Sequence, residues 1–140
     1  MSLVVDASVA SKWFFREVGS DAATKLLASG ETLIAPQLIV AEVGNVALKR
    51  YISGEISLEQ AEAAASATVD LIDELASLAA LVTATFAIAR DLRHPIYDCF
   101  YLALAEKTGA RVVTADTRFM RRLAGTRWSS LVDPLVPPVT

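Results

Sequence analysis

The sequence predicts an α/β protein with three layers, in which helices cover both faces of a central, mainly parallel sheet of four to five strands. Short apolar runs alternate along the chain with longer segments of helical spacing, an order typical of parallel sheets. The first run, Leu3–Val5, is apolar throughout, which is typical of a strand buried on both faces. With 140 residues the chain has the size of one domain, so we expect a single domain over residues 1–140.

The first half of the chain carries start and stop signals for its helices. Serine and proline are typical of helix starts and glycine of helix ends, and Ser57 with Gln60 forms a capping-box pattern. The expected elements are a strand at Leu3–Val5, a helix capped by Ser8 to about Phe15, a helix between Ser20 and Gly30, a strand at Thr32–Ala35, a helix from Pro36 to near Gly54, and a helix from Ser57 to about Leu75.

The second half begins with an ambiguous apolar stretch. We expect a strand at Leu78–Leu81 and a helix at Thr83–Leu92, although hydrophobic spacing does not separate the two. The remaining expected elements are a helix from Pro95 to Gly109, a strand at Arg111–Thr114, a short helix opened by Asp116, and an edge strand at Leu131–Val136.

Composition excludes several classes of protein. Hydrophobic residues make up 54% of the chain and the mean hydropathy is +0.43, which excludes intrinsic disorder. The longest uncharged run, residues 75–89, is shorter than the roughly 18 residues of a membrane span, and no basic segment precedes the first apolar residues, so a cytoplasmic location is expected. A single cysteine, Cys99, and a single histidine, His94, leave only oxygen ligands for any metal, and we expect neither residue to be catalytic.

Four acids are predicted to meet at one edge of the sheet. Asp6 directly follows the first strand, and Asp116 lies two residues after the strand that ends at Thr114. Glu42 and Asp98 fall in the first two turns of the helices expected to start at Pro36 and Pro95. In open α/β sheets the strand ends and the following helix starts share the edge where ligands bind.

Clustered carboxylates repel each other unless a cation compensates their charge. Oxygen-only ligands favour Mg²⁺ or Mn²⁺, and Mg²⁺ keeps several coordination positions open for water or a substrate phosphate. The acids therefore indicate metal-assisted attack on a phosphodiester, with Asp6 and Asp98 as the strongest candidates for direct ligands. Taken singly, Asp6 is better explained as a turn residue and Asp116 as a helix cap. Their predicted positions together with Glu42 and Asp98 favour the metal site.

Several further residues are candidates for supporting roles. The hydroxyls of Thr114 and Ser8 are suited to orienting a ligand or water, and Ser8 is equally suited to capping a helix. Asn45 lies one helical turn after Glu42 and suits either a hydrogen bond to a carboxylate or phosphate or a buried role. Five arginines between residues 111 and 127 suggest phosphate contacts, for Arg118 first and for one of Arg121 and Arg122, or a solvated helix face.

Four segments together resemble a PIN domain of the VapC toxin type. The resemblance covers nearly the whole chain and is carried by residues 4–8 (VVDAS), 41–45 (AEVGN), 97–105 (YDCFYLALA) and 113–116 (VTAD). It implies a cytoplasmic Mg²⁺-dependent ribonuclease toxin whose four site acids are Asp6, Glu42, Asp98 and Asp116, with Mn²⁺ as a substitute. It also implies a homodimer, an RNA substrate and a VapB-type antitoxin. Some relatives carry a further acid where this chain has residues 117–119 (TRF), so one or two metal ions remain open.

Two other functions stay open at this point. The first is a PIN-like module that binds RNA or a partner without cleaving it. The second is a phosphatase or phosphoacceptor with Asp6 as nucleophile. It fits poorly because haloacid-dehalogenase-like enzymes normally place a second aspartate two residues on, where this chain has Ser8. The helices at Asp21–Ser29 and Ser57–Leu75 suit a dimer or antitoxin surface, and core packing explains them equally well.

Net charge qualifies the RNA hypothesis. The chain has 13 basic and 16 acidic residues, for a net charge of −3, which by itself argues against a nucleic-acid partner. Without the four site acids, 13 basic residues face 12 acidic ones. The excess of acid therefore belongs to the predicted site, and we expect modest, metal-dependent RNA affinity.

Overall fold

Five parallel strands form the central sheet of this computed structural model, which describes residues 1–136. The fold class predicted from the sequence is confirmed. The strands are β1 (Ser2–Val5), β2 (Thr32–Pro36), β3 (Glu74–Ala76), β4 (Arg111–Thr114) and β5 (Val132–Pro134), in the order β3-β2-β1-β4-β5. The central strand β1 pairs with β2 through Val4 opposite Ile34 and with β4 through Val4 opposite Val112.

Seven α-helices surround the sheet in the described part of the chain. They are α1 (Ala7–Ala10), α2 (Ser20–Leu27), α3 (Leu38–Ile52), α4 (Leu58–Leu71), α5 (Leu78–Leu92), α6 (Ile96–Thr108) and α7 (Thr117–Leu123). Short 3-10 helices occupy Ser11–Trp13 and Arg127–Leu131. Within residues 1–136, no helix has both the length and the apolar character required to cross a bilayer.

The strand order creates a crevice at the centre of the sheet. From β1 the chain moves outward through β2 to β3, then crosses to β4 on the other side of β1 and moves outward to β5. Right-handed connections place helices on opposite faces when the direction of travel reverses. The chain therefore leaves β1 and β4 in opposite directions, and the carboxyl ends of these two strands flank the place where open α/β sheets bind ligands.

Helix α6 forms the middle of the core. Its residues from Cys99 to Ala105 are all buried, and it contacts β1, β2 and β4 while α5 covers its outer side. A helix enclosed in this way is apolar all round rather than amphipathic. Because α6 is packed against the sheet and α5 along most of its length, the core holds its first turn in a fixed position relative to β1.

Two predictions around β3 are wrong. Helix α4 ends at Leu71 rather than near Leu75, and residues 78–81 belong to α5 rather than to a strand. Ser77 begins α5, because its hydroxyl accepts the backbone N–H of Ala80 in the manner of an N-cap. On the side away from β1, β2 pairs with the three-residue β3, whose Glu74 lies opposite Ile34.

Three predicted boundaries also change. Pro36 ends β2 instead of opening α3, and the next residue, Gln37, donates its backbone N–H to the Ala76 carbonyl. Asp6 rather than Ser8 caps α1, which gives way after Ala10 to a 3-10 helix. Strand β5 is shorter than predicted, since residues 127–131 form a 3-10 helix and pairing ends at Pro134. The predicted stops at Gly54 and Gly109 agree with the ends of α3 and α6 to within two residues.

Candidate active site

Asp6 occupies the crevice between β1 and β4. The residue is only 8% exposed, and its carboxylate accepts hydrogen bonds from Thr114 Oγ1 at 2.6 Å and Ser8 Oγ at 3.1 Å. It also accepts the backbone N–H of Ser8 at 3.4 Å as the cap of α1. Ser8 Oγ in turn accepts the Ala115 N–H at 3.0 Å, so β1 and β4 are tied together around this carboxylate.

The environment of Asp6 disfavours its charge. Burial raises the pKa of Asp6, the nearby charge of Asp98 raises it further, and the hydrogen bonds from Thr114 and Ser8 lower it. Burial is the largest of these influences. The two hydroxyls therefore orient the carboxylate without fully compensating its charge.

Glu42 is held by a tyrosine of the central helix. It lies in the second turn of α3, and its Oε1 accepts the hydroxyl of Tyr101 at 2.7 Å. Burial raises the pKa of Glu42 to about 7, with smaller contributions from the charges of Asp6 and Asp98, while the Tyr101 hydrogen bond lowers it. Burial and the same three carboxylates raise the pKa of Tyr101 well above its usual value, so the hydroxyl keeps the proton that it donates.

Asp98 lies in the first turn of α6 and contacts the only histidine of the chain. His94 Nε2 is 2.7 Å from Asp98 Oδ2, and the imidazole packs against the Phe119 ring at a centroid distance of 5.5 Å. His94 lies in the α5–α6 loop, as the sequence suggested, but its contact with Asp98 was not predicted. The spacing of four residues was an available signal, although His94 precedes the helix that carries Asp98.

Asp116 has a structural role in addition to any chemical one. Its Oδ1 accepts the backbone N–H groups of Arg118 at 3.0 Å and Phe119 at 3.1 Å, so it is the N-cap of α7. Its own N–H donates to Thr114 Oγ1 at 3.0 Å, the same hydroxyl that donates to Asp6. Asp116 and Asp6 are therefore connected through one threonine.

A cavity of about 390 Å³ opens beside Glu42 and Asp98. Asn45, the other polar residue of its lining, stands one turn after Glu42 as expected from the sequence. The remaining lining residues are Leu38, Ala41, Pro95 and Tyr97. This lining contains two carboxylates and no basic side chain.

Three of the five C-terminal arginines are engaged in structural contacts. Arg111 pairs with Asp133, Arg127 pairs with Glu106, and Arg122 donates to the carbonyls of Leu92 and Arg93 at the end of α5. Arg122 therefore ties α7 to α5, which argues against the phosphate contact considered for it. Arg118 and Arg121 are exposed on α7, close to Asp116 in sequence.

The aromatic residues that follow Lys12 pack against other parts of the protein. Phe15 is 6% exposed, and Trp13 Nε1 donates to the Ala23 carbonyl at 2.9 Å. Lys12 forms an ion pair with Glu17 at 3.0 Å. These aromatic side chains therefore pack in and against the protein core.

The acid cluster has the donors of a hard-cation site. Within residues 1–136, no lysine or arginine forms an ion pair with Asp6, Glu42, Asp98 or Asp116. In the same part of the chain, no three acidic, histidine or cysteine side chains stand close enough together to hold a metal ion as they lie. The oxygen donors, the mutual repulsion of the carboxylates and their burial are the properties that suit a hard cation such as Mg²⁺ or Mn²⁺.

The fold and the acids at its central crevice define a PIN domain. Residues 3–125 match the PIN domain family, and the chain belongs to that family. Within it the chain is of the VapC type. It is 30% identical over 136 residues to Ribonuclease VapC3 of Pyrobaculum aerophilum, which covers 96% of this chain and 100% of that protein. It is 39% identical over 87 residues to Ribonuclease VapC1 of Mycobacterium tuberculosis. That alignment covers 60% of this chain and 62% of that protein.

Solved structures share the fold at low sequence identity. The crystal structure of PAE2754 from Pyrobaculum aerophilum has a TM-score of 0.74 at 19% identity and covers 96% of this chain and 90% of its own. A toxin-antitoxin complex from Klebsiella pneumoniae has a TM-score of 0.69 at 14% identity and covers 97% of this chain and 99% of its own. VapBC2 from Rickettsia felis, bound to a promoter DNA fragment, has a TM-score of 0.66 at 15% identity. It covers 96% of this chain and 98% of its own.

Proposed function

We propose that this VapC-type PIN domain is an endoribonuclease toxin that hydrolyses RNA phosphodiester bonds with Mg²⁺ or Mn²⁺. The observation that carries the proposal is the group of acids at the β1–β4 crevice: the charge of Asp98 raises the pKa of Asp6, and the charges of Asp6 and Asp98 raise that of Glu42. Within residues 1–136, no lysine or arginine forms an ion pair with these acids, and His94 is the basic side chain that contacts Asp98. Such a group destabilises a fold unless a cation binds there. The ribonuclease names of the relatives support the same activity.

Asp6 and Asp98 are the proposed direct ligands, with Glu42 and Asp116 completing the acidic set. When bound there, the cation would supply the Lewis acidity that activates water and stabilises the leaving oxygen. Thr114 and Ser8 hold the Asp6 carboxylate through their hydroxyls. Two further contacts have matching roles, since Tyr101 holds Glu42 and His94 holds Asp98.

Arg118 and Asn45 are the proposed substrate contacts, one near Asp116 and the other beside Glu42 and Asp98. Arg118 is exposed in the first turn of α7, beside Asp116, where a guanidinium suits a backbone phosphate. Asn45 offers an amide donor and acceptor to the cavity that contains Glu42 and Asp98.

A VapB-type antitoxin is the proposed protein partner. The Klebsiella pneumoniae structure is a toxin-antitoxin complex, and the matched chains of that structure and of VapBC2 from Rickettsia felis cover nearly all of this chain. A single domain over residues 1–140, a homodimer and a cytoplasmic site of action complete the proposal.

The decisive experiment combines RNA cleavage with growth. Purified protein is expected to cut RNA when Mg²⁺ or Mn²⁺ is present and to stop when the metal is chelated. Expression is expected to arrest growth, and Asp98→Asn is expected to abolish both effects because it removes a charged ligand. RNA binding that is independent of metal and survives Asp6→Asn, without any cleavage, would contradict the proposal and indicate a non-catalytic binding module.

Two substitutions separate the structural and chemical roles of Asp116. Asp116→Asn is expected to keep the α7 cap, because asparagine caps helices about as well as aspartate, so stability should change by only a few tenths of a kcal/mol. Asp116→Ala is expected to lose about 1 kcal/mol of stability. Cleavage is expected to fall in both variants. If Asp116→Asn cleaves RNA at the wild-type rate, Asp116 is only a cap.

A further inference from the structure

An exposed tyrosine stands directly beside the candidate active site. Tyr97 lies in the first turn of α6, one residue before Asp98, and is 60% exposed. It lines the cavity that also contains Glu42, Asn45 and Asp98. Tyr101, one turn further along the same helix, is 1% exposed and engaged with Glu42. Tyr97 therefore presents an aromatic surface to solvent at the mouth of the acidic cavity.

The chemistry of the cavity favours an uncharged, planar occupant. Its lining combines two carboxylates with an amide and with Leu38, Ala41 and Pro95. A phosphate would be repelled there unless a metal held it, whereas a nucleobase is neutral and has apolar faces. Single-stranded nucleic acids bind proteins mainly by stacking their bases on aromatic side chains and by placing their phosphates on cations. A base on Tyr97 would leave its phosphate next to Asp98.

We propose that Tyr97 stacks on an unpaired nucleobase of the RNA, at a nucleotide adjoining the bond that is cleaved, with the Asn45 amide facing the edge of that base. This inference rests on the proposed ribonuclease function and adds a substrate feature to it. Bases inside a duplex are already stacked, so the contact selects single-stranded RNA over double-stranded RNA.

The test measures RNA binding by the full chain rather than cleavage. A short single-stranded RNA that carries 2-aminopurine is titrated with protein in Ca²⁺, and a gel confirms that the RNA stays intact. Tyr97→Ala is expected to weaken binding by about 5- to 100-fold, the range found for the loss of one base–aromatic stack. Tyr97→Phe retains the ring and is expected to bind within about 2-fold of wild type.

Phe86 provides the matched control. It is 64% exposed on α5 and does not line the cavity, so Phe86→Ala removes an equally exposed aromatic ring elsewhere. Thermal unfolding of all three variants verifies that they are folded. Wild-type protein is expected to prefer the single strand over the same sequence in a duplex, and Tyr97→Ala is expected to lose most of that preference.

Three outcomes would overturn the inference. They are unchanged RNA binding by Tyr97→Ala, an equal loss in Phe86→Ala, and a Tyr97→Ala protein that binds RNA more weakly but keeps the full preference for the single strand. Unchanged RNA binding together with weaker antitoxin binding would assign this face to a protein partner. The first of these three outcomes leaves the proposed function intact if Asp98→Asn still abolishes cleavage. Conversely, binding that depends on Tyr97 in a protein that never cleaves RNA would refute the proposed function alone.

Discussion

Asp6→Asn is expected to lower RNA cleavage on the order of 10³-fold while leaving the metal-free protein at least as stable as wild type. The loss of activity follows from removing a buried ligand at the centre of the crevice. The stability follows from the same burial, because the Asp6 charge is desolvated and lies near Asp98 without a basic partner. Asparagine keeps a carbonyl oxygen for the Thr114 hydroxyl, which lies 2.6 Å from the carboxylate.

Thermal unfolding with and without Mn²⁺ separates this result from simple damage to the fold. Wild-type Tm is expected to rise when Mn²⁺ is added, because a ligand that binds only the folded state stabilises it. In Asp6→Asn that rise is expected to be lost. Asp70→Asn is the matched control, since Asp70 is an exposed aspartate of α4 far from the crevice in the fold. An Asp6→Asn protein that is cleavage-competent, or whose Tm falls by several degrees without metal, would contradict the expectation.

The metal-free protein is expected to lose stability as the pH rises from about 4.5 to about 7. Glu42 has a pKa of about 7 in the folded protein against an ordinary value of 4.5, so the folded state binds more protons in this interval. The contribution of Glu42 is therefore fully present below about pH 4.5 and disappears as the pH rises through 7. Allowing for the partial exposure of Glu42, we expect a change on the order of 2 kcal/mol.

Urea unfolding between pH 4.5 and 8 in the presence of a chelator measures this effect. Glu42→Gln is expected to flatten the pH dependence, because glutamine does not titrate and still accepts the Tyr101 hydroxyl. Some slope will remain, since burial also raises the pKa of Asp6. Glu62→Gln, on the exposed side of α4, is expected to leave the slope unchanged. Stability that rises over this interval in the wild type would show that Glu42 is ionised in the free protein.

The sequence was sufficient to nominate the site acids and the hydroxyls of Thr114 and Ser8, but not the groups that hold Glu42 and Asp98. Asp6 and Asp116 could be nominated because each follows a recognisable strand in an open α/β order. Tyr101 could not, because its contact with Glu42 joins residues 59 positions apart on two different helices. That pairing depends on how α6 is rotated against the sheet, a property of the assembled core. Tyr97 gave no signal for the same reason, since only packing distinguishes it from the buried Tyr101.

Errors in the fold arose where local preference is weak. Residues 74–76 form a strand only because they pair with the edge of β2. Three residues are too few for hydrophobic spacing to predict a strand. The uncharged stretch that follows is apolar enough for either structure, and the Ser77 cap decides in favour of helix. Pro36 was assigned to a helix start because proline suits that position, although it suits the end of a strand equally well.

By itself, the sequence determined the α/β class and most of the strands and helices, and it predicted the four acids together with the cation chemistry that we propose for them. These properties depend on short-range patterns, in which apolar spacing and capping residues act over a few positions. The tertiary structure alone decided which acids are buried and how strongly they repel, that Asp116 caps α7 while Thr114 links it to Asp6, and that Tyr97 faces solvent. Burial and charge coupling arise between segments that meet only when the sheet has assembled, which is why the residues next to an acid in sequence do not reveal the state of its proton.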